Sequence, residues 1–198
     1  MLITFEGPEG AGKSTAIVAI AEKLRGTGCD VLTTREPGSG DFGERIRTLL
    51  LEGPDVEKKV ELMLFLADRA NHVQTVIKPA IDQGKVVLCD RYTDSTIAYQ
   101  GYAQGLDIEF LRRANDFVTD GLQPDFTILF DITPEVGLAR LGYMDRMDSL
   151  PLEFHQRVRL GYLREAHAEP RRWLVLDASR PREQVMEDVV RVLMSRLR

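Results

Sequence analysis

The residues with the clearest chemical meaning lie near the start of the chain, at positions 7–14. Their sequence, Gly-Pro-Glu-Gly-Ala-Gly-Lys-Ser, fits the phosphate-binding pattern G-x-x-x-x-G-K-[ST]. Glycines permit backbone conformations in which successive N–H groups converge on phosphate oxygens, and the start of a following helix adds positive potential. Lys13 supplies a charge for the β- and γ-phosphates of a nucleotide, and Ser14 supplies a hydroxyl for Mg²⁺. The residues predicted to hold the nucleotide are Gly7, Pro8, Glu9, Gly10, Ala11, Gly12, Lys13, Ser14 and Thr15.

The segments on either side of this motif are the ones that it requires. The apolar run Leu2–Phe5 predicts a buried strand, and Ser14–Leu24 predicts a helix. A glycine-rich turn that binds nothing would usually lack this strand–loop–helix setting. The motif is therefore interpreted as a P-loop that binds the phosphates of a nucleotide.

Short apolar runs recur along the chain and alternate with amphipathic stretches. The last amphipathic stretch, Arg182–Leu197, has apolar residues at helical spacing. Alternating strands and helices predict an α/β fold, here a five-stranded parallel sheet flanked by helices on both faces. Ligands of such sheets bind beyond the carboxyl ends of the strands, where this chain places charged residues. The predicted strands are Leu2–Phe5, Val31–Thr34, Val86–Asp90, Thr127–Asp131 and Trp173–Leu176.

Length and composition limit the class of protein. A chain of 198 residues with 43% hydrophobic and 29% charged residues predicts a single globular domain over residues 1–198. The net charge of −5 argues against a nucleic-acid-binding surface, because such surfaces carry a basic excess. No apolar run approaches the ~18 residues of a membrane span, and no signal peptide is apparent. Cys29 and Cys89 are too few for a disulfide framework, so we expect reduced thiols and a cytoplasmic protein.

Further motifs follow the P-loop in a fixed order. They are Phe5-Glu6-Gly7, Arg35-Glu36-Pro37-Gly38, Leu64–Arg69, Asp90–Gly101, Gln123-Pro124-Asp125, Asp145-Arg146 and Phe154–Tyr162. Over nearly the whole chain this ordered set resembles the thymidylate kinase family. The resemblance implies transfer of the γ-phosphoryl group of ATP to dTMP, giving dTDP in dTTP biosynthesis, with Mg²⁺ as cofactor. Another nucleoside monophosphate kinase and a P-loop switch ATPase remain the alternatives.

The resemblance also implies roles around the sugar and phosphates. Glu9 resembles the acidic residue that meets the deoxyribose 3′-hydroxyl, and Arg91 resembles the clamp on the monophosphate. A planar guanidinium suits that role because its donors match phosphate oxygens. Tyr99 resembles the ring that crowds the 2′ position and disfavours ribonucleotides. Asp90 resembles the acidic residue near Mg²⁺, which it is expected to share with Ser14.

Another set of roles concerns the base. Phe65 resembles the aromatic residue that stacks on thymine, and Arg69 resembles the arginine that donates to a thymine carbonyl oxygen. By the same resemblance, Thr96 and Gln100 lie beside the base edge, and Pro37 belongs to the substrate site. The family usually forms homodimers. The apolar-rich stretch Val56–Ile81 suits an interface helix and a core helix equally.

The source of the catalytic arginine is a separate question. Part of the family carries it in the P-loop, at the position where this chain has Gly10, and the rest draws it from a mobile lid. The chain resembles the second type, with a short lid at about residues 140–150 that lacks one of the usual arginines. Arg146 is the preferred lid arginine because its Asp-Arg pair matches the family most clearly. The residues expected to act in catalysis are Lys13, Arg91, Arg146 and Arg140.

Overall fold

A parallel five-stranded sheet forms the centre of the computed structural model, which describes residues 1–196. The strand order is β2-β3-β1-β4-β5, and each neighbouring pair runs parallel. Each predicted strand is confirmed to within one residue at either end. The strands are β1 (Leu2–Glu6), β2 (Val31–Arg35), β3 (Val86–Asp90), β4 (Phe126–Asp131) and β5 (Trp173–Asp177).

Helices connect the strands, and two of them continue into π-helical turns. The predicted helix after the P-loop is α1 (Lys13–Arg25), and the predicted C-terminal helix is α9 (Arg182–Arg196), although the predicted end at residue 197 lies outside the described residues. Most of the stretch Val56–Ile81 is helical, since α3 (Lys58–His72) continues through the π-helical turn Val73–Ile77 into α4 (Lys78–Asp82). A second π-helical segment, Ile97–Ala103, follows α5. The α-helices are α1 (Lys13–Arg25), α2 (Gly40–Leu51), α3 (Lys58–His72), α4 (Lys78–Asp82), α5 (Thr93–Thr96), α6 (Ile108–Thr119), α7 (Pro134–Ala139), α8 (Leu152–Ala168) and α9 (Arg182–Arg196).

Helices cover both faces of the sheet, as the sequence predicts. Ile3 and Phe5 of β1 belong to a buried cluster with α1 and α9. Leu2, which precedes Ile3, packs on the opposite face with residues of β3 and α4, and Leu129 packs there against α8. Burying an aliphatic side chain of this size contributes about 1.5–3 kcal/mol. The sheet is therefore a rigid support for the loops at its carboxyl edge.

Three loops at this edge carry the residues of interest. The P-loop follows β1, Arg91 follows β3, and residues 36–39 lead from β2 into α2. Because β1 pairs with β3 and β3 with β2, these three loops are neighbours. Across residues 1–196, we find no helix with the length and apolar character of a membrane span.

Candidate active site

The P-loop requires glycine at specific positions. Gly7, Gly10 and Gly12 have φ angles of 143°, 66° and 88°, which other residues rarely adopt. A Cβ atom at position 10 would lie only 1.9 Å from the carbonyl oxygen of Gly137 in α7. This contact excludes any side chain at position 10, including the arginine that part of the family carries there.

Lys13 lies folded against the loop that precedes it. Its Nζ donates hydrogen bonds to the carbonyl oxygens of Gly7 and Pro8, at 2.9 and 3.0 Å. Burial, followed by the nearby Arg91, lowers the pKa of Lys13 to about 8. Its ammonium group is therefore still charged at neutral pH, and it lies inside the loop that is shaped for phosphate.

Ser14 and Asp90 form a pair of oxygen ligands beside the P-loop. Ser14 Oγ donates a hydrogen bond of 2.7 Å to Asp90 Oδ2. A hydroxyl and a carboxylate are the hard oxygen ligands that Mg²⁺ prefers, and Mg²⁺ usually needs only one or two from the protein. The donor set at this position therefore fits a magnesium ion held next to nucleotide phosphates.

Glu9 is held between Arg91 and Tyr99. Arg91 Nη2 donates to one carboxylate oxygen, and the Tyr99 hydroxyl donates to the other at 2.6 Å. Burial alone would raise the pKa of Glu9, but the charges of Arg91 and Lys13 hold it below its usual value. Arg91 itself has a φ of 68°, an uncommon backbone conformation for a residue other than glycine. Such strained backbone often occurs at binding sites, where it aims a side chain.

A cavity of about 320 Å³ opens next to this group. Arg91 and Tyr99 line it on the P-loop side, and Phe65 and Gln100 contribute to its wall further away. The residues predicted to bind dTMP, the phosphate acceptor, therefore line one cavity. This cavity is called the acceptor cavity below. The predicted acceptor residues that line it are Glu9, Pro37, Phe65, Arg69, Arg91, Thr96, Tyr99 and Gln100, and Arg47 lines it as well.

Arg69 is the centre of a buried network at the end of this cavity. Its Nε donates to Glu36 at 2.7 Å, and its Nη1 donates to Thr96 and Asn115, each at 2.7 Å. Nη2 donates to the carbonyl oxygen of Tyr92 at 2.9 Å. A guanidinium has five N–H donors, so within the described residues one N–H of Arg69 remains available to a ligand.

A second cavity, of about 300 Å³, lies on the other side of the P-loop. Gly10 lines both cavities, whereas Thr15 and Arg140 line this one. Arg140 Nη1 also donates to the carbonyl oxygen of Ala178 at 3.1 Å, which fixes the arginine beside the loop. The P-loop is therefore a shared wall between two cavities, and Arg140 lines the second one.

The structure does not bring Arg146 together with Lys13. Arg146 Nη2 lies 2.6 Å from Glu61 of α3, and its Nε donates to the carbonyl oxygen of Leu50 in α2 at 2.8 Å. It is not among the described residues that line either cavity. A catalytic role for Arg146 thus stays a prediction, and its observed contacts support a different role.

Four acidic residues to which the sequence analysis assigns no role also line the acceptor cavity, namely Glu36, Asp68, Asp145 and Asp148. Oδ2 of Asp68 is buried without a hydrogen-bond partner among residues 1–196. Burial, with the nearby Glu36, raises the pKa of Asp68 to about 6. Asp68 and Asp145 stand beside Arg69 and Arg146 in motifs of the sequence, and Asp148 lies within the predicted lid at about residues 140–150.

Glu36, His72 and Cys89 form a buried cluster whose ligand atoms lie within 4.8 Å of one another. His72 is fully engaged, since Nδ1 contacts Glu36 at 2.8 Å and Nε2 contacts Thr34 Oγ1 at 2.7 Å. Burial raises the pKa of the Cys89 thiol well above its usual value, which disfavours the thiolate that binds metals. The cluster is therefore explained as structural support for Glu36 and Arg69.

Comparison with known proteins agrees with this geometry. The thymidylate kinase family profile matches residues 5–189. Thymidylate kinase of Desulfovibrio desulfuricans is 50% identical, over 94% of this chain and 91% of its own length. That of Deinococcus radiodurans is 46% identical over 96% and 94%. The crystal structure of thymidylate kinase from Ehrlichia chaffeensis superposes with a TM-score of 0.80 at 38% identity, covering 98% of both chains. The chain belongs to the thymidylate kinase family.

Proposed function

We propose that this chain, as a single domain of residues 1–198, transfers the γ-phosphoryl group of ATP to dTMP and forms dTDP and ADP. The main support for this proposal is that the P-loop lies between two cavities and lines both of them. One cavity holds the cluster of Glu9, Arg91 and Tyr99, and the other contains Thr15 and Arg140. Two nucleotides that bind on opposite sides of one loop can meet with their phosphates facing each other.

The donor phosphates are held by the P-loop amides and by Lys13. Ser14 and Asp90 would hold Mg²⁺, which neutralises charge on the β- and γ-phosphates when it is bound. Arg140, fixed by Ala178 beside the loop, adds positive charge on the donor side. These groups lie on rigid elements, so the donor is positioned with little reorganisation.

The acceptor phosphate is bound by Arg91, whose planar group offers paired donors to two oxygens. Glu9 compensates the charge of Arg91 and, as an ionised carboxylate, accepts a hydrogen bond from the 3′-hydroxyl of the sugar. The Tyr99 hydroxyl is bonded to the same carboxylate, so with the sugar bound at Glu9 the Tyr99 ring would crowd a 2′-hydroxyl. This arrangement favours a deoxyribonucleoside monophosphate.

The base lies at the far end of the acceptor cavity. Phe65 provides a flat apolar surface for stacking, and Pro37 lines the same cavity. The remaining N–H of Arg69 can donate to a carbonyl oxygen of the base. Thr96 and Gln100 offer polar groups to the base edge. Together they suit a pyrimidine with carbonyl groups, as in dTMP.

The chemical step needs positioning and charge stabilisation more than a base. An oxygen of the dTMP phosphate forms a bond to the γ-phosphorus, the bond from that phosphorus to the β–γ bridging oxygen breaks, and ADP leaves with the electron pair. The attacking oxygen is already anionic, so no strong general base is required. Lys13, Arg91 and Arg140 stabilise the charge that spreads over the transferred group. We assign residues 140–150 as a short lid over this centre.

Several exposed apolar side chains support a homodimer. Val60 and Met63 of α3 and Phe110 and Phe117 of α6 are 44–83% exposed, and α3 packs beside α6. An apolar surface of this kind on neighbouring helices marks an interaction site. We propose that two copies pair through it, and that Phe117→Asp lowers the molar mass measured by light scattering to that of a monomer.

Because both cysteines are free, we also propose a cytoplasmic location.

An acceptor panel tests the proposed function. ADP release from Mg·ATP is measured with dTMP, dUMP, UMP, AMP and dGMP as separate acceptors. We expect dTMP to give the highest kcat/KM. A preference for AMP or dGMP would instead indicate another nucleoside monophosphate kinase. A rate of ADP release that does not depend on any acceptor would indicate a switch ATPase.

A further inference from the structure

Glu61 is a buried carboxylate that joins the acceptor cavity to residues 140–150. It lies on α3, is 2% exposed, and accepts hydrogen bonds from three side chains. Gln100 Nε2 donates at 3.2 Å, Gln104 Nε2 at 2.7 Å and Arg146 Nη2 at 2.6 Å. Of these donors, Gln100 also lines the acceptor cavity. Glu61 therefore bonds directly to Gln100, a residue that lines the substrate cavity.

The contact fixes which end of the Gln100 amide faces Glu61. An ionised carboxylate has only acceptors, so the amide NH₂ must turn toward it. The carbonyl oxygen of Gln100 is then left for the cavity, where it can only accept a hydrogen bond. Thymine and uracil have an N3–H that donates to such an oxygen, whereas N3 of cytosine is itself an acceptor. The orientation of one amide thus discriminates between pyrimidines.

Arg146 holds the Glu61 carboxylate in place. Its Nη2 lies 2.6 Å from Glu61 Oε2, so the carboxylate has a fixed partner on the side away from Gln100, which contacts Oε1. Arg146 is itself anchored to the last turn of α2, since its backbone N–H donates to Leu51 O at 3.2 Å and its Nε donates to Leu50 O. A cation at a helix C-terminus satisfies free carbonyl groups and interacts favourably with the helix dipole.

We propose that Glu61 and Arg146 form a positioning pair that orients the Gln100 amide with its oxygen toward the acceptor base. The pair thereby favours bases with an N3–H, thymine and uracil, over cytosine. The inference rests on the proposed function, and it assigns Arg146 to acceptor selection. Neither Glu61 nor Arg146 needs to touch a nucleotide for this role.

The test compares dTMP with dCMP for the wild type, Glu61→Gln and Arg146→Ala. A glutamine at position 61 can donate as well as accept, so the Gln100 amide is free to turn. We expect the ratio of kcat/KM for dTMP to that for dCMP to fall about tenfold or more in both variants, the effect of one hydrogen bond. The change appears mainly as a higher KM for dTMP, with the KM for ATP unchanged. Glu109→Gln, in an exposed ion pair with Arg113, is the matched control.

Several results would overturn the inference. They are an unchanged dTMP-to-dCMP ratio, an equal loss for both nucleotides, and a fall in kcat alone, which would indicate a catalytic role for Arg146. If Glu61→Gln fails to fold, Arg146→Lys replaces it, since a retained charge should preserve the ratio that Arg146→Ala loses. A wild type that uses dTMP and dCMP equally contradicts this inference alone. A wild type that releases no ADP in response to dTMP contradicts the proposed function.

Discussion

Ser14 Oγ donates a 2.7 Å hydrogen bond to Asp90 Oδ2, joining the P-loop to the end of β3. The two residues are 76 positions apart in the chain but follow adjacent strands, since β1 pairs with β3. Neither depends on a loop that must close to bring it into place. The oxygen ligands proposed for Mg²⁺ are therefore preorganised by the sheet.

Asp90→Asn should weaken the binding of Mg²⁺ at this pair. An amide keeps the shape of the side chain but removes its charge, so the Mg²⁺ concentration for half-maximal activity should rise about 10- to 100-fold. A magnesium titration of ADP formation measures this concentration. Asp116→Asn, at an exposed position on α6, is the control. An unchanged midpoint in Asp90→Asn would contradict the assignment of the metal site.

Lys13→Ala should suppress turnover while dTMP binding remains. Lys13 lines the acceptor cavity, but its Nζ is bonded within the P-loop to Gly7 and Pro8, where we propose that it binds the donor phosphates. Loss of a preorganised charge at the reacting group usually lowers kcat by roughly 10²–10³. Calorimetric titration with dTMP should give a Kd within about twofold of the wild type. A large loss of dTMP affinity would count against the role, and Lys23→Ala on the exposed side of α1 serves as the control.

The lowered pKa of Lys13 predicts an alkaline limit for ATP binding. In the free enzyme Lys13 carries its charge below a pKa of about 8 and loses it above that value. We therefore expect kcat/KM for ATP to fall as the pH rises through about 8, because this parameter reports the free enzyme. Bound phosphates favour the charged form, so kcat should fall only at higher pH. A profile for kcat/KM that stays flat to pH 10 would refute this assignment.

Glu6 predicts a pH dependence of stability. Burial, and then the charge of Asp94, raises the pKa of Glu6 to about 7 from 4.5. The folded state therefore holds this proton more tightly than the unfolded state, and the stability it confers is complete below pH 4.5. That stability is lost as the pH rises through about 7, with a slope of up to about 1.4 kcal/mol per unit.

Urea unfolding at pH 5 and pH 7 measures this contribution. Glu6→Gln resembles the protonated acid and does not titrate, so the wild type should lose free energy of unfolding relative to the variant between these pH values. Glu22→Gln, exposed on α1, should follow the wild type. Equal changes in the wild type and Glu6→Gln would show that Glu6 does not carry the effect.

The fold and the acceptor cavity follow closely from the sequence. Buried parallel strands have apolar runs with β-branched residues, which is why β3 was predicted with both its ends correct. Motifs that follow strands converge because parallel strands end at one edge, so Asp90 and Arg91 could be placed beside the P-loop. The close approach of Gly10 to Gly137 was not predictable, since it depends on the position of α7.

Other features depend on tertiary contacts that a sequence pattern does not contain. The sequence of the π-helical segment Ile97–Ala103 has no pattern that distinguishes it from an α-helix, so the π-helical turn was not predictable. Arg146 could be recognised as part of a motif, but its partner Glu61 is 85 positions away. A charged residue in a loop has many possible partners, and only the fold selects one. This is why Arg146 was expected in catalysis yet contacts α2 and α3 in the structure.

The proposed reaction moves the γ-phosphoryl group from ATP to dTMP. The most direct measurement incubates the protein with Mg²⁺, dTMP and ATP labelled at the γ-phosphoryl group, and then follows the label by chromatography. Our account predicts that the label appears in dTDP in amounts equal to the ADP formed, with little inorganic phosphate. Label that appears in inorganic phosphate, at a rate independent of dTMP, would contradict it.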